Sequence, residues 1–321
     1  MRLRTLALAV VVAGSGLTPV IAGATAPGRN GQIAFRRFFD AGHRRGAIFL
    51  VNSDGSGERQ LTHPPSGAVD ARFGPPSFAP DGTRLVFTRS SRRGNDALWT
   101  VDVRSGRERR LIGDRKRGSD HGVYSPDGRR IALALIQGPL KHNDLRVSLN
   151  VMAVDGGRPR RLVDLGYKGD LGRIAWSPNS RRIVYEVARR GAGHALFVIG
   201  SRGGHPHRIG PWRRNVEFNT LDWSPDGRLL LIQFLPLDSS FGGDYYTLRP
   251  DGRGLRRLTH FGRKATTGAA GWSPDGKSIV FANTGLGGND DIYVMHADGS
   301  GITAVTRTPT WESAPAWGPA R

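Results

Sequence analysis

The chain has 321 residues and a mass of 34.8 kDa, enough for one large domain or two ordinary ones. Hydrophobic residues make up 38% and charged residues 23%, so a buried core is within reach and general disorder is excluded. Cysteine is absent, which excludes a disulfide framework, a thiolate metal site, a cysteine nucleophile and a lipoprotein anchor, while the formal charge of +20 rests almost wholly on arginine.

At the N-terminus, Arg2 and Arg4 precede the apolar run from Leu6 to Ala13, and small residues with helix breakers follow. That order is the layout of a secretory signal peptide. Ala22-Gly23-Ala24 offers the small-x-small pattern for cleavage after Ala24, whereas cleavage after Ala26 would leave Pro27 behind the cut. Loss of Arg2 and Arg4 takes the charge from +20 to +18. No Arg-Arg pair precedes the apolar run, which favours the general secretory route and a periplasmic or extracellular destination. The alternative is a retained anchor, against which Gly14, Gly16, Pro19 and Gly23 argue. No later run approaches the ~18 apolar residues that a spanning helix needs. The expected organisation is a signal peptide over 1–24, a linker over 25–30 and a single domain over 31–321.

One pattern then recurs along the chain: an aromatic, a small residue, Pro, and Asp-Gly or a variant. Its aromatics are Phe78, Tyr124, Trp176, Trp223, Trp272 and, in a truncated last copy, Trp317, with steps of 46, 52, 47, 49 and 45 residues. A period near 48 fits a four-stranded propeller blade and exceeds the usual helical repeats. In each repeat the aromatic ends a first strand, and proline and glycine turn the chain. A second, almost wholly apolar strand follows, as at Leu85–Phe87, Ile131–Ile136, Ile183–Tyr185, Leu229–Ile232 and Ile279–Phe281. A strand apolar on both sides is buried on both faces. A third strand (Ile48–Val51 or Ile292–Met295, for example), an Asp-Gly hairpin turn and a short polar fourth strand complete the unit.

The ends extend the pattern. Gly31–Phe35 reads as a second strand with no first strand ahead of it, and Ala314–Trp317 as a first strand with nothing after it. Joining them completes one blade and removes the open sheet edges. The expected fold class is all-β, a six-bladed propeller of four-stranded antiparallel blades closed by the C-terminal strand.

At Trp272–Phe281 and Ile292–Gly299 the sequence resembles the TolB-like propellers, whose WD-type repeats read Trp-Ser-Pro-Asp-Gly-Lys and later Ile-Tyr-Val-Met with Asp-Gly. The resemblance spans residues 31 to 319 and implies the propeller fold; the motif residues are structural and leave function open. TolB itself carries an extra N-terminal domain, whereas these repeats begin a few residues after the expected cleavage point.

Several motifs look chemical. Gly271 to Ser278 satisfies the P-loop pattern, but a P-loop must open a helix and the residues after Lys277 read as a strand. Asn52, Asp54, Ser56 and Glu58 alternate like a calcium loop, yet His63 stands where the bidentate glutamate belongs, so a hairpin tip is expected. His205-Pro-His207 lacks a nearby carboxylate and reads as surface. No serine has glycine at both flanking positions of a nucleophile elbow, and too few residues follow Trp317 to hold a hydrolase domain. Catalysis is therefore not expected. Arginine runs at 107–110, 158–161 and 253–257 read as a solvated rim, or as contacts to anionic envelope polymer.

Residues entering the first strands should surround the mouth of the central channel. There the sequence places Asp70, Asp120, His121, Asp170, Glu217 and Glu312, a partial ring of carboxylates in a basic chain. Such a ring would attract a cationic peptide segment. The expected function is an exported, non-catalytic, monomeric propeller scaffold that binds an envelope or extracellular protein, or an envelope polymer, through its channel face. The alternative is a secreted carbohydrate-active enzyme, a polyuronate lyase or glycoside hydrolase, working in the channel. No nucleic-acid partner and no cofactor are expected, a divalent cation in the channel being the one ion the ring would admit.

Overall fold

The structure is a computed structural model that describes residues 25–40, 42–71, 74–91, 96–113, 117–138, 146–167, 169–236, 243–261, 267–284, 286 and 290–321. The expected signal peptide over 1–24 lies outside these residues. Among the described residues the chain is all-β.

Four sheets of four antiparallel strands succeed one another. The first holds β9 (Arg117–Tyr124), β10 (Arg130–Gln137), β11 (Arg146–Ala153) and β12 (Arg160–Gly166), the next β13 (Gly169–Trp176), β14 (Arg182–Arg189), β15 (Gly193–Gly200) and β16 (His207–Arg213). Then come β17 (Val216–Trp223), β18 (Leu230–Pro236), β19 (Tyr245–Leu248) and β20 (Arg256–Arg257), and finally β21 (Thr267–Trp272), β22 (Ser278–Asn283), β23 (Asp291–His296) and β24 (Thr303–Ala304). The remaining sheet has nine strands. One half of it runs from β25 (Glu312–Pro319) through β1 (Asn30–Phe38) and β2 (Gly46–Val51) to β3 (Arg59–Gln60). In the other half, β4 (Ala68–Asp70) and β5 (Ser77–Phe78) both pair with β6 (Arg84–Ser91), which leads to β7 (Ala97–Asp102) and β8 (Glu108–Ile112). The halves meet through a single parallel pair, Gly46 opposite Val69.

The pairing of the chain ends matches the sequence expectation. Ile33 lies opposite Trp317 and Ala34 opposite Ala316. The inner strands β5, β9, β13, β17, β21 and β25 each touch the next, and β25 touches β5. Apolar clusters lie between neighbouring sheets: Trp176 and Tyr185 pack with Leu149 and Val151 of the preceding unit, and Phe35 and Trp317 pack with Val280 and Ile292 of the last one. The second strands are buried on both faces, as their unbroken apolar runs require.

The Ser-Pro-Asp-Gly turns recur because each residue has a task. In the Ser125 turn the Ser amide donates to Arg130 O at 2.8 Å, Ser Oγ donates to Asp127 Oδ1 at 2.6 Å, and Arg129 N donates to the same Asp127 oxygen at 3.1 Å. The same bonds recur at Ser224 with Asp226 and at Ser273 with Asp275. Their glycines have φ near +70°, and a Cβ on Gly227 would meet Pro178 of the preceding repeat at 3.2 Å. At Gly82 the corresponding neighbour is Pro319, from the other end of the chain.

The rim arginines also have structural partners. Arg59 reaches Val103 O, Arg109 reaches Asp155 O at 3.0 Å, and Arg160 reaches Ser201 O at 3.1 Å, each from a fourth strand to a hairpin of the next unit. The residues that resemble a P-loop run from the end of β21 through a turn into β22, and the alternating Asn52–Ser56 segment is a hairpin tip in which Asp54 accepts from Ser56.

Candidate functional site

The first strands are not regular. Register shifts interrupt the pairing of β9 with β10, β13 with β14, β17 with β18, β21 with β22 and β25 with β1, each a few residues before the repeat aromatic. A bulge bends its strand and re-aims the local side chains. His121, in the β9 bulge, is left-handed with φ 52°, as is Ala314 in the β25 bulge with φ 54°. The bulges turn His121 and Arg173 toward the axis where the inner strands converge.

There they line a cavity of about 110 Å³, together with Ser77, Asp222, Ala270 and Trp317. Every inner strand contributes to its wall. Thr25 and Ala26, ahead of β1, close part of it.

Within this cavity His121 Nε2 lies 3.3 Å from Arg173 Nη1, and His121 Nδ1 lies 3.2 Å from Asp120 Oδ2. Asp120 Oδ1 accepts from the His121 amide at 2.6 Å and from Thr88 Oγ1 at 3.2 Å. Burial pushes the imidazole of His121 below its ordinary range, and Asp120 only partly offsets this. Burial likewise lowers Arg173, against the opposing pull of Glu186, Asp120 and Glu217. A neutral His121 can accept from the guanidinium, so the pair is a compact donor and acceptor set in the cavity wall.

Glu186 links this pair to the outer mouth. It is buried in β14, where it accepts from Arg173 N at 3.4 Å, Phe218 N at 3.1 Å and His194 Nδ1 at 2.8 Å. The bond to Glu186 raises the His194 imidazole. His194 faces an open groove of about 540 Å³ that it shares with Asp170, Arg189, Arg190, Arg214 and the exposed Tyr167. On the far wall Asp222 accepts from Trp223 N at 2.8 Å, Trp272 N at 2.8 Å and Thr25 Oγ1 at 3.0 Å, and burial pushes its carboxyl up to about 6.

The carboxylates expected around the mouth do occupy the inner strands or their ends, but they divide into two groups. Asp120, His121, Asp170 and Glu217 gather around Arg173, Glu186 and His194. Asp70 and Glu312 do not join them. Both are fully buried: Asp70 is paired with Arg89, which also binds Glu108, and Glu312 with Arg37, which also binds Glu58. A threonine assists each, Thr62 at Asp70 and Thr306 at Glu312. These are matching clamps at equivalent places in the two halves of the nine-stranded sheet. Among the described residues, no group of three or more His, Asp or Glu side chains is placed to hold a metal ion.

Arg173, Glu186, His194 and Asp222 were not singled out from the sequence. A signal for two of them was present. Arg173 and His121 both stand three places before a repeat aromatic, where two other copies carry alanine, and Asp222 stands immediately before one, where small residues or valine are the rule.

No family profile matches the chain. It is 28% identical over 233 residues to the uncharacterized peptidase YuxL of Bacillus subtilis, covering 68% of this chain and 31% of that protein. It is 39% identical over 87 residues to the Tol-Pal system protein TolB of Anaeromyxobacter dehalogenans, covering 27% of this chain and 18% of the relative. The chain thus spans less than a third of the length of these two relatives. Among solved structures it is similar to TolB from Acinetobacter baumannii, with TM-score 0.70 and 16% identity over 90% of this chain and 67% of that one. A nidogen/laminin complex gives TM-score 0.65 at 14% identity, covering 90% of this chain and 99% of that one. An oligogalacturonate lyase in complex with manganese gives 0.55 at 16% identity, covering 83% and 72%. At these identities the likeness is one of fold, and the fold is the all-β propeller that TolB and TolB-like proteins share.

Proposed function

We propose that this chain is an exported, monomeric, six-bladed propeller whose first blade is completed by β25, and that it binds a segment of an envelope or extracellular protein through its channel face. The observation that carries this reading is the convergence of every inner strand on one cavity that presents His121, Arg173 and Asp222. These polar side chains stand at positions that other repeats fill with apolar or small residues. The acidic cluster of Asp120, Asp170, Glu186 and Glu217 beside them favours a segment with basic character. Fold likeness to TolB and to a propeller solved as a protein complex supports a scaffold role, and the N-terminal sequence supports export. Co-isolation from the envelope fraction of the producing cell tests it. A partner retained by the wild type and lost from an Asp170→Lys variant is expected, and equal retention by both would move the binding surface elsewhere.

A second reading is a secreted polyuronate lyase or glycoside hydrolase. It is favoured by the groove in which Arg189, Arg190 and Arg214 surround His194, a setting suited to an anionic polymer, and by the likeness to oligogalacturonate lyase. Release of unsaturated products from polyuronate, with and without divalent metal, separates it from the scaffold.

A further inference from the structure

The segment ahead of β1 is built into the cavity wall. Gly28 N donates to Pro274 O at 3.1 Å, Ala26 is buried, and Thr25 Oγ1 donates to Asp222 Oδ2 at 3.0 Å. Residues 25–28 therefore run from Asp222 of β17 to the turn after β21. Asp222 satisfies two backbone amides as well, but among the described residues it forms no ion pair. A carboxylate enclosed in this way lacks a counter-charge.

The sequence supplies one at the right place. Cleavage of the Ala22-Gly23-Ala24 pattern after Ala24 makes Thr25 the first residue and converts its amide nitrogen into an α-ammonium. In a staggered threonine the nitrogen and its own Oγ1 lie about 3 Å apart, which holds that charge within about 6 Å of the Asp222 carboxylate. We infer that the chain is processed between Ala24 and Thr25, and that the new α-ammonium of Thr25 pairs with Asp222 as a fixed part of the channel wall. Processing would then finish the cavity rather than merely release the protein from its signal. This inference rests on the expected signal peptide and on the Thr25–Asp222 contact, and not on what the channel binds.

The test is secretion of the full chain followed by intact-mass measurement and selective acylation of amines near neutral pH. A mass corresponding to residues 25–321 is expected. In the folded protein the α-amine should acylate about tenfold more slowly than in a variant with two glycines placed ahead of Thr25, the factor that one unit of raised α-amino pKa gives. The glycine extension keeps Asp222 and all backbone contacts, so it remains informative where Asp222→Ala fails to fold. A mature chain beginning elsewhere, or equal acylation rates in the two proteins, would overturn the inference.

Discussion

Trp317 Nε1 donates to the carbonyl of Gly31 at 3.0 Å, joining two residues 286 positions apart. The bond sits inside the antiparallel pairing of β25 with β1 and beside the apolar cluster that ties β1 to β22 and β23. Deleting residues 312–321 removes the whole inner strand, bares the edge of β1 and leaves Arg37 without Glu312. The truncated protein is expected to melt far below the parent and to aggregate, which thermal unfolding with light scattering would register. Trp317→Ala alone is expected to cost ~3–5 kcal/mol. A truncated protein as stable as the parent would show that β25 does not close the ring.

The repeat tryptophans differ in a testable way. Trp176 and Trp272 are both buried, but Trp176 Nε1 donates to Val123 O at 3.0 Å whereas Trp272 Nε1 has no hydrogen-bond partner among the described residues. Replacement by phenylalanine should therefore cost about 1 kcal/mol more at position 176 than at 272, because only the former gives up a hydrogen bond. Equal losses in denaturant unfolding would contradict this assignment.

The carboxylates split by burial, and charge reversal should expose the split. Glu312→Lys places a cation against Arg37 in a site without solvent, and a loss of at least ~3 kcal/mol is expected. Asp170 is exposed, so Asp170→Lys should stay within about 0.5 kcal/mol of the parent. Similar melting temperatures for both variants would remove the distinction between clamp and mouth.

Much of this was legible beforehand. The aromatic steps, the Pro-Asp-Gly turns and the apolar second strands follow from the periods and the turn chemistry of the backbone, so strands and end pairing could be read directly. The site was only half legible. Position relative to the repeat aromatic located Asp120, His121, Asp170 and Glu217, but it placed Asp70 and Glu312 in the same ring. Which arginine reaches which carboxylate depends on side chains of neighbouring strands, and nothing in the spacing of Arg37 or Arg89 reveals it. The bulges at His121 and Arg173 were equally hidden, because one extra residue in a strand leaves no periodic trace. Glu186 escaped because it directly follows the apolar stretch Ile183–Tyr185, where a charge reads as the strand's exit, although Val187 and Ala188 continue β14.

Glu186 also sets a pH dependence. Its bond raises the His194 pKa in the folded state above the ordinary 6.5 of the unfolded chain. The stability this bond contributes is therefore complete below pH 6.5 and is lost as the pH rises through the folded value. Following His194 by NMR should show its midpoint fall in Glu186→Gln. Gly172→Ala should act the same way, because its Cβ would stand 2.0 Å from Glu186 Oε2 and displace the carboxylate. An unchanged midpoint in both variants would mean that Glu186 does not hold His194.

The most direct test of the channel-face function is site-specific photo-crosslinking in the producing cell. A photoreactive residue at Asp170, at the exposed mouth, is compared with one at Arg109 on the outer rim. A discrete adduct from position 170 and none from position 109 is expected. Adducts from position 109 alone, or the same adducts from both, would contradict recognition through the channel face.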